Sequence, residues 1–354
     1  MEIIRPPSEY VPRLPGHVER LLPSIGALPP DDLRMWIDKK RKSSALAVAY
    51  AEIGGPFKRL SERIRDCAPE LQRIGSGQPS GEGLKIKTIF AGTCKARLCP
   101  TCATLRARRQ YARIMPRFEG VMNDNPGVRA AFATFTVPNV PLDAGRSAGA
   151  EILAGFRRMS QRKPFKNAVI GWMRALEVTY NSETHELHPH LHTVLLLNRN
   201  YYSKRHDLYL SQEDWLELWR KVMRKQSIKV FDIRRLRPRN HGAPLSSALA
   251  EVTKYPMKPA KIFVWGEDGY TVDPQILEPL HMALRAKRLF GFGGVLRKAA
   301  SVIEDDIVAE ADWHLSDEEL AALVREPEPE PYFIENYTWD GRTYTATGRP
   351  ILGE

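Results

Sequence analysis

The chain has 354 residues, 43% of them apolar, and a formal net charge of +11 at pH 7. That is the composition of a globular protein long enough for a main domain with smaller additions. No apolar run reaches the roughly 18 residues of a membrane-spanning helix, and Met1-Glu2-Ile3-Ile4-Arg5-Pro6-Pro7 lacks a signal-peptide core, so a soluble cytoplasmic protein without a membrane partner is expected.

The net charge understates the basic surface. Glu304 to Glu335 holds twelve acidic residues and one Arg; the rest carries 52 Lys and Arg against 30 Asp and Glu, a net of +22. A basic body with an acidic end points to a polyanionic partner, nucleic acid first.

In chain order, residues 1–30 are Pro-rich and read as an irregular lead-in. Asp31-Asp32-Leu33 is a capped helix start, and that helix continues through Lys39-Lys40-Arg41-Lys42 to Tyr50. Its basic cluster is either a DNA-backbone contact or a solvated face. The only cysteines follow: Cys67, Cys94, Cys99 and Cys102. Two thiolates three positions apart let one tight turn offer two ligands, and four thiolates satisfy tetrahedral Zn²⁺. A structural zinc site is therefore expected ahead of two buried cysteines plus a redox pair. Arg106, Arg108, Arg109 and Arg113 then crowd a helix, as a phosphate-tracking face or as ordinary solvation.

Phe132 to Asn139 alternates with period 2 and stops at Pro-Asn, so a strand is expected; Gly149 to Met159 reads as a helix. Ala175 to Tyr180 and His188 to Leu197 read as the two strands of a hairpin. Side chains alternate across a strand, so His188, His190 and His192 share one face. Three such imidazoles are close enough to hold one metal; a surface His cluster is the alternative. Matching Leu176 and Val178 to Leu191 and Leu195 on the buried face puts Glu177 and Thr179 on the histidine face. Glu177 is then either a carboxylate ligand beside the imidazoles or a surface ion-pair residue. Two N and one O donor suit Mg²⁺ or Mn²⁺. Asp214 to Lys225 is an amphipathic helix, Phe231 to Arg234 a short strand, and Pro244 to Tyr255 a helix with Glu251 one turn before Tyr255. Lys254 and Lys258 flank that tyrosine.

A strand ending Thr134-Phe135-Thr136-Val137-Pro138-Asn139, a His190-Leu191-His192 strand and Glu251-x-x-Lys254-Tyr255-x-x-Lys258 together resemble the HUH endonucleases, and most closely the single-tyrosine initiators of plasmid rolling-circle replication. Cys94 to Cys102 is similar to the cysteine motif of these initiators, and Leu284 to Phe292 to a segment following their tyrosine, so the resemblance spans Cys67 to Phe292. Pro256 departs from the usual β-branched residue. The resemblance implies an α+β fold with a central antiparallel five-stranded sheet, helices on one face and a small zinc-binding segment. Residues 1–66 and the acidic end lie outside the resemblance; the expected division is 1–66 as an N-terminal helical extension, 67–120 as the four-cysteine zinc segment with its Arg-rich helix, 121–300 as the nicking domain and 301–354 as an acidic tail.

The implied activity is nicking of one DNA strand at an origin. His190, His192 and Glu177 hold the catalytic ion, His188 lies in its outer shell, Tyr255 attacks the phosphate and keeps a 5′-phosphotyrosine, Lys254 stabilises charge, and Glu251 activates water for a terminating cut. Arg106, Arg108, Arg109 and Lys258 are the expected DNA contacts. The implied partners are origin DNA, single-stranded or in a hairpin, and a host superfamily 1 helicase with the replication machinery. Competing readings are a single-tyrosine transposase or relaxase, a zinc-containing DNA-binding regulator, and a metal-dependent hydrolase without covalent chemistry.

Overall fold

The period-2 segments around the histidines form the middle of a sheet in the computed structural model, which describes residues 33–76, 85–236, 262–297, 331–347 and 351–352. In β3 (Arg129–Thr136), β5 (Val169–Asn181) and β6 (Glu186–Leu197) one face of each strand is apolar. With β7 (Phe231–Arg235) and β10 (Phe290–Gly294) they run in the order β10-β5-β6-β3-β7, every pairing antiparallel. A sixth strand, β4 (Val140–Pro141), pairs with β6 beside Leu187. The expected five-stranded sheet is therefore six-stranded. Pro138 and Asn139 end β3, and the chain re-pairs for two residues before entering the next helix.

The helices pack on the face that carries Leu176, Val178, Leu191 and Leu195, all fully buried. Phe156 of α4 (Gly145–Met159) meets Phe135 and Trp172 edge-on. Trp219 of α6 (Gln212–Met223) also meets Phe135, while Trp215 lies between Phe165 of α5 (Lys163–Ala168) and Phe231. Each such burial of a large side chain contributes roughly 1.5–3 kcal/mol. The Ser211–Asp214 capping box starts α6. On the histidine side the strands are also covered beyond the imidazoles, since Met173, Val194 and Leu196 are fully buried.

A second sheet was not anticipated. β1 (Glu70–Ser76) lies between β2 (Lys85–Ala91) and β11 (Pro331–Trp339), which also pairs with β12 (Tyr344–Ala346) and β13 (Ile351–Leu352). The chain end read as an acidic tail thus supplies three strands. Leu71, Tyr337 and Tyr344 make a small core with Leu33, Trp36 and Ile37 of α1 (Leu33–Ile53). Helix α2 (Lys58–Arg65) returns alongside α1 and leads to Cys67. A hairpin of β8 (Phe263–Gly266) and β9 (Gly269–Val272) packs on α1 and precedes α7 (Pro274–Leu284). No described helix is long and apolar enough to cross a membrane.

Candidate metal centres

Among the described residues, two groups of metal-type donors converge closely enough to hold an ion. The first is set by the register of the β5–β6 hairpin, which places Glu177 opposite His190, Ala175 opposite His192 and Thr179 opposite His188. Glu177 Oε2 lies 3.0 Å from His190 Nε2 and 2.7 Å from His192 Nε2, and the two imidazole nitrogens are 3.1 Å apart. These are the edges of one octahedral face: metal bonds of about 2.1 Å at right angles give edges of about 3.0 Å. The three donors could hold a hexacoordinate divalent cation, for which they would supply half of the ligands.

Ring orientation supports the same reading. His190 Nδ1 donates to the His188 carbonyl at 3.1 Å, so a neutral His190 ring presents an unprotonated Nε2 to the carboxylate. His192 Nδ1 lies 3.3 Å from Thr134 Oγ1, and Phe132 stacks on its ring. His190 Nε2, His192 Nε2 and a carboxylate oxygen converge here, a donor set that could hold a cation. Burial would raise the Glu177 carboxyl, but hydrogen bonds and charge from His190 and His192 bring it down to about 2. Its second oxygen, Oε1, is buried without a partner. His188 stands outside the trio with its ring 5.2 Å from His190, and burial and the neighbouring His190 depress it to about 4.

The second group is Cys67, Cys94, Cys99 and Cys102, all buried. Sγ–Sγ distances are 3.4 Å (Cys67–Cys102), 3.5 Å (Cys94–Cys102) and 3.7 Å (Cys67–Cys99). Zinc–sulfur bonds of about 2.3 Å in a tetrahedron require about 3.8 Å, so a small expansion admits Zn²⁺. Cys99 is the N-cap of α3 (Pro100–Asp124), and Cys102 sits in its first turn, at the positive end of the helix dipole. The Cys94 and Lys95 N–H groups donate to the sulfurs of Cys67 and Cys102 at 3.3 and 3.1 Å.

Residues missed in the sequence surround this cluster. Lys40 is 1% exposed and donates to the carbonyls of Arg65 and Cys67, and Ser43 Oγ lies 3.3 Å from Cys99 Sγ. The Lys39–Lys42 run is thus neither a plain DNA contact nor a solvated face. The available signal was helical spacing: Lys40 follows Trp36 by four and Ile37 by three, on the buried stripe of α1. Arg97 links the cysteine loop to the end of α7 through the carbonyls of Leu284 and Lys287.

Of the expected DNA contacts, Arg106 turns inward to the Lys95 carbonyl at 2.8 Å, and the Arg108 guanidinium lies 5.0 Å over Trp36. Arg109 shares α3 with them. Glu251, Lys254, Tyr255 and Lys258 lie outside the described residues.

The sequence profile of the replication protein family matches residues 85–345. The Rep protein of Streptococcus pneumoniae serotype 2 is 28% identical over 315 residues, 87% of this chain and 94% of the relative. That of Bacillus amyloliquefaciens is 32% identical over 282 residues, covering 75% and 80%, and a Staphylococcus aureus replication protein is 30% identical over 230 residues, covering 63% and 93%. No solved structure matches the chain. Nearly full-length alignment to several Rep proteins, together with a profile match that takes in the hairpin donors and most of both sheets, shows that the chain belongs to the Rep family of plasmid replication initiators.

Proposed function

We propose that this Rep protein is a metal-dependent endonuclease that nicks one strand at its origin and starts rolling-circle replication through a covalent 5′-phosphotyrosine. The observation that carries this reading is the octahedral face of Glu177, His190 and His192, whose three donor atoms lie within 3.1 Å of one another. A Mg²⁺ or Mn²⁺ ion bound there supplies a Lewis acid for the scissile phosphate. The chain's part is to hold that face rigid, by strand register and by the His190 bond to the His188 carbonyl.

Tyr255 is the nucleophile of this proposal. Its oxygen bonds to phosphorus, the P–O3′ bond breaks, and the 3′-oxygen takes up a proton to become a primer hydroxyl. A phenol of pKa about 10 is protonated at neutral pH, so the attacking anion needs stabilising charge, which Lys254 is placed in sequence to supply. Glu251, one helical turn earlier in the sequence pattern, activates a water for the terminating cut. Lys258 and Arg109 contribute positive charge toward DNA, whereas Arg106 and Arg108 brace the cysteine loop and α1. A Zn²⁺ ion held by the four cysteines is structural, and unwinding comes from a host superfamily 1 helicase. The family match favours replication over transposition or conjugation.

The test is adduct formation on an origin-bearing oligonucleotide labelled on the 3′ side of the nick, with Mg²⁺ or Mn²⁺, read on a denaturing gel. Wild type forms the adduct and Tyr255→Phe forms none while still binding DNA. An adduct that survives the substitution moves the nucleophile elsewhere. Tyr180 and Tyr270 are next to test, although their hydroxyls are bonded to His185 (2.7 Å) and Asp38 (2.6 Å).

A further inference from the structure

The loop from Asn198 to Leu210 carries a cluster of three tyrosines that the reaction chemistry does not use. Ring centroids of Tyr201, Tyr202 and Tyr209 lie 4.9 to 6.0 Å apart. Tyr201 is the base of the cluster: it is buried, donates to the Leu210 carbonyl at 2.8 Å, and accepts from Trp215 Nε1 at 3.1 Å. Tyr202 and Tyr209 are 43% and 58% exposed, so the core gains little from them. The Arg235 guanidinium sits 4.9 Å over the Tyr202 ring. Arg199, Lys204 and Arg205 are exposed in the same loop, against one acidic residue, Asp207.

Strand register connects this patch to the metal-type cluster. β7 is the edge strand, paired to β3, and β3 pairs to β6. Asp232 stands opposite Thr134, which stands opposite His192; two residues on, Arg234 stands opposite Phe132. Arg234 therefore shares the histidine face, whereas Arg235, by alternation, belongs to the helix-bearing face. Consecutive arginines straddle one sheet edge, with exposed tyrosines just beyond. Two strand spacings, roughly 10 Å, separate β6 from that edge.

We propose that this edge, Arg234, Arg235, Tyr202 and Tyr209, is a track for single-stranded DNA that leads to or from the Glu177–His190–His192 site. Guanidinium groups that track phosphate beside aromatic faces that stack bases are the two components of sequence-tolerant single-strand binding. This rests on the nicking reading above.

The test uses the full-length protein and a fluorescein-labelled oligothymidylate of about 20 nucleotides, lacking the nick sequence, read by anisotropy. Tyr202→Ala combined with Tyr209→Ala weakens binding about tenfold or more, with an unchanged melting temperature, and Tyr202→Phe binds as wild type. Arg234→Ala with Arg235→Ala lowers the slope of log affinity against log salt by about 0.7 for each phosphate that the pair neutralises. Wild-type affinity in the double tyrosine variant overturns the proposal, as does a loss confined to duplex DNA or an equal loss in Tyr202→Phe. A wild-type protein that forms the covalent adduct but has no affinity for the oligothymidylate overturns the track alone. One that does neither removes the nicking reading as well.

Discussion

The two donor clusters contrast in how they are built. Glu177, His190 and His192 come from one hairpin, and a single register brings them together. The four cysteines come from the end of α2, from the loop before α3 and from α3 itself. Lys40 and Ser43 of α1 close the site from outside. The first cluster joins two imidazoles and a carboxylate, spaced like one octahedral face; the second has four soft thiol donors, as many as a tetrahedron takes. The hairpin cluster is built locally, by one strand register, whereas the cysteine cluster ties distant segments together.

That contrast predicts opposite failures. Cys99→Ser, at a fully buried sulfur, should leave purified protein without stoichiometric zinc and without a cooperative melt. Structural zinc is worth about 10 kcal/mol or more, as much as the whole stability of many domains. Elemental analysis and a thermal scan check this, and a wild-type melt without zinc would erase the distinction. His192→Ala should do the reverse: a loss of about a thousandfold in adduct formation, the scale of several kcal/mol of Lewis-acid catalysis, with the melt retained.

The hairpin cluster was legible in the sequence because period-2 alternation fixes which side chains share a face. Leu176 and Val178, as core residues, force Glu177 onto the side of His190. The cysteine cluster was legible through its residue type and close spacing at Cys99 and Cys102. Its supports were not. Lys40 sits in a run of four basic residues; helical spacing puts it on the buried stripe of α1, but only the tertiary approach of α1 to Cys67 shows what it serves there. The second sheet was hidden for a related reason. Tyr332-Phe333-Ile334 and Tyr337-Thr338-Trp339 are strand-forming residues, but acidic composition on their N-terminal side masked them, and their partner is β1. Local pattern gives strand propensity and carries no record of a distant partner.

Smaller effects sharpen the contrast within the hairpin. Glu177→Gln should raise the metal concentration for half-maximal nicking by no less than the roughly 10–100-fold typical of losing an outer partner. A titration of adduct yield against Mn²⁺ checks it, and no shift would leave Glu177 a buried hydrogen-bond acceptor only. His188→Ala should fall at the low end, about tenfold, because the His188 main-chain carbonyl, not its ring, takes the proton of His190 Nδ1. A His188→Ala protein as inactive as His192→Ala would place a third imidazole on the ion.

The β1–β11 pairing also has a consequence during synthesis. Arg73 and Glu335 face each other across a sequence separation of 262 residues, and β1 has β2 on its other edge. At roughly 5–20 residues per second, β1 waits on the order of 10–50 s on the ribosome with one edge open. Over that interval the hairpin that bears Glu177, His190 and His192 has already left the tunnel, while the strand that flanks the cysteine cluster is unmade. The sheet that bears the hairpin can form before the β1–β11 clamp does. Chains that stop short of Pro331 keep the open edge, so a sheet-edge binder such as a chaperone has a lasting means of telling unfinished initiators from finished ones.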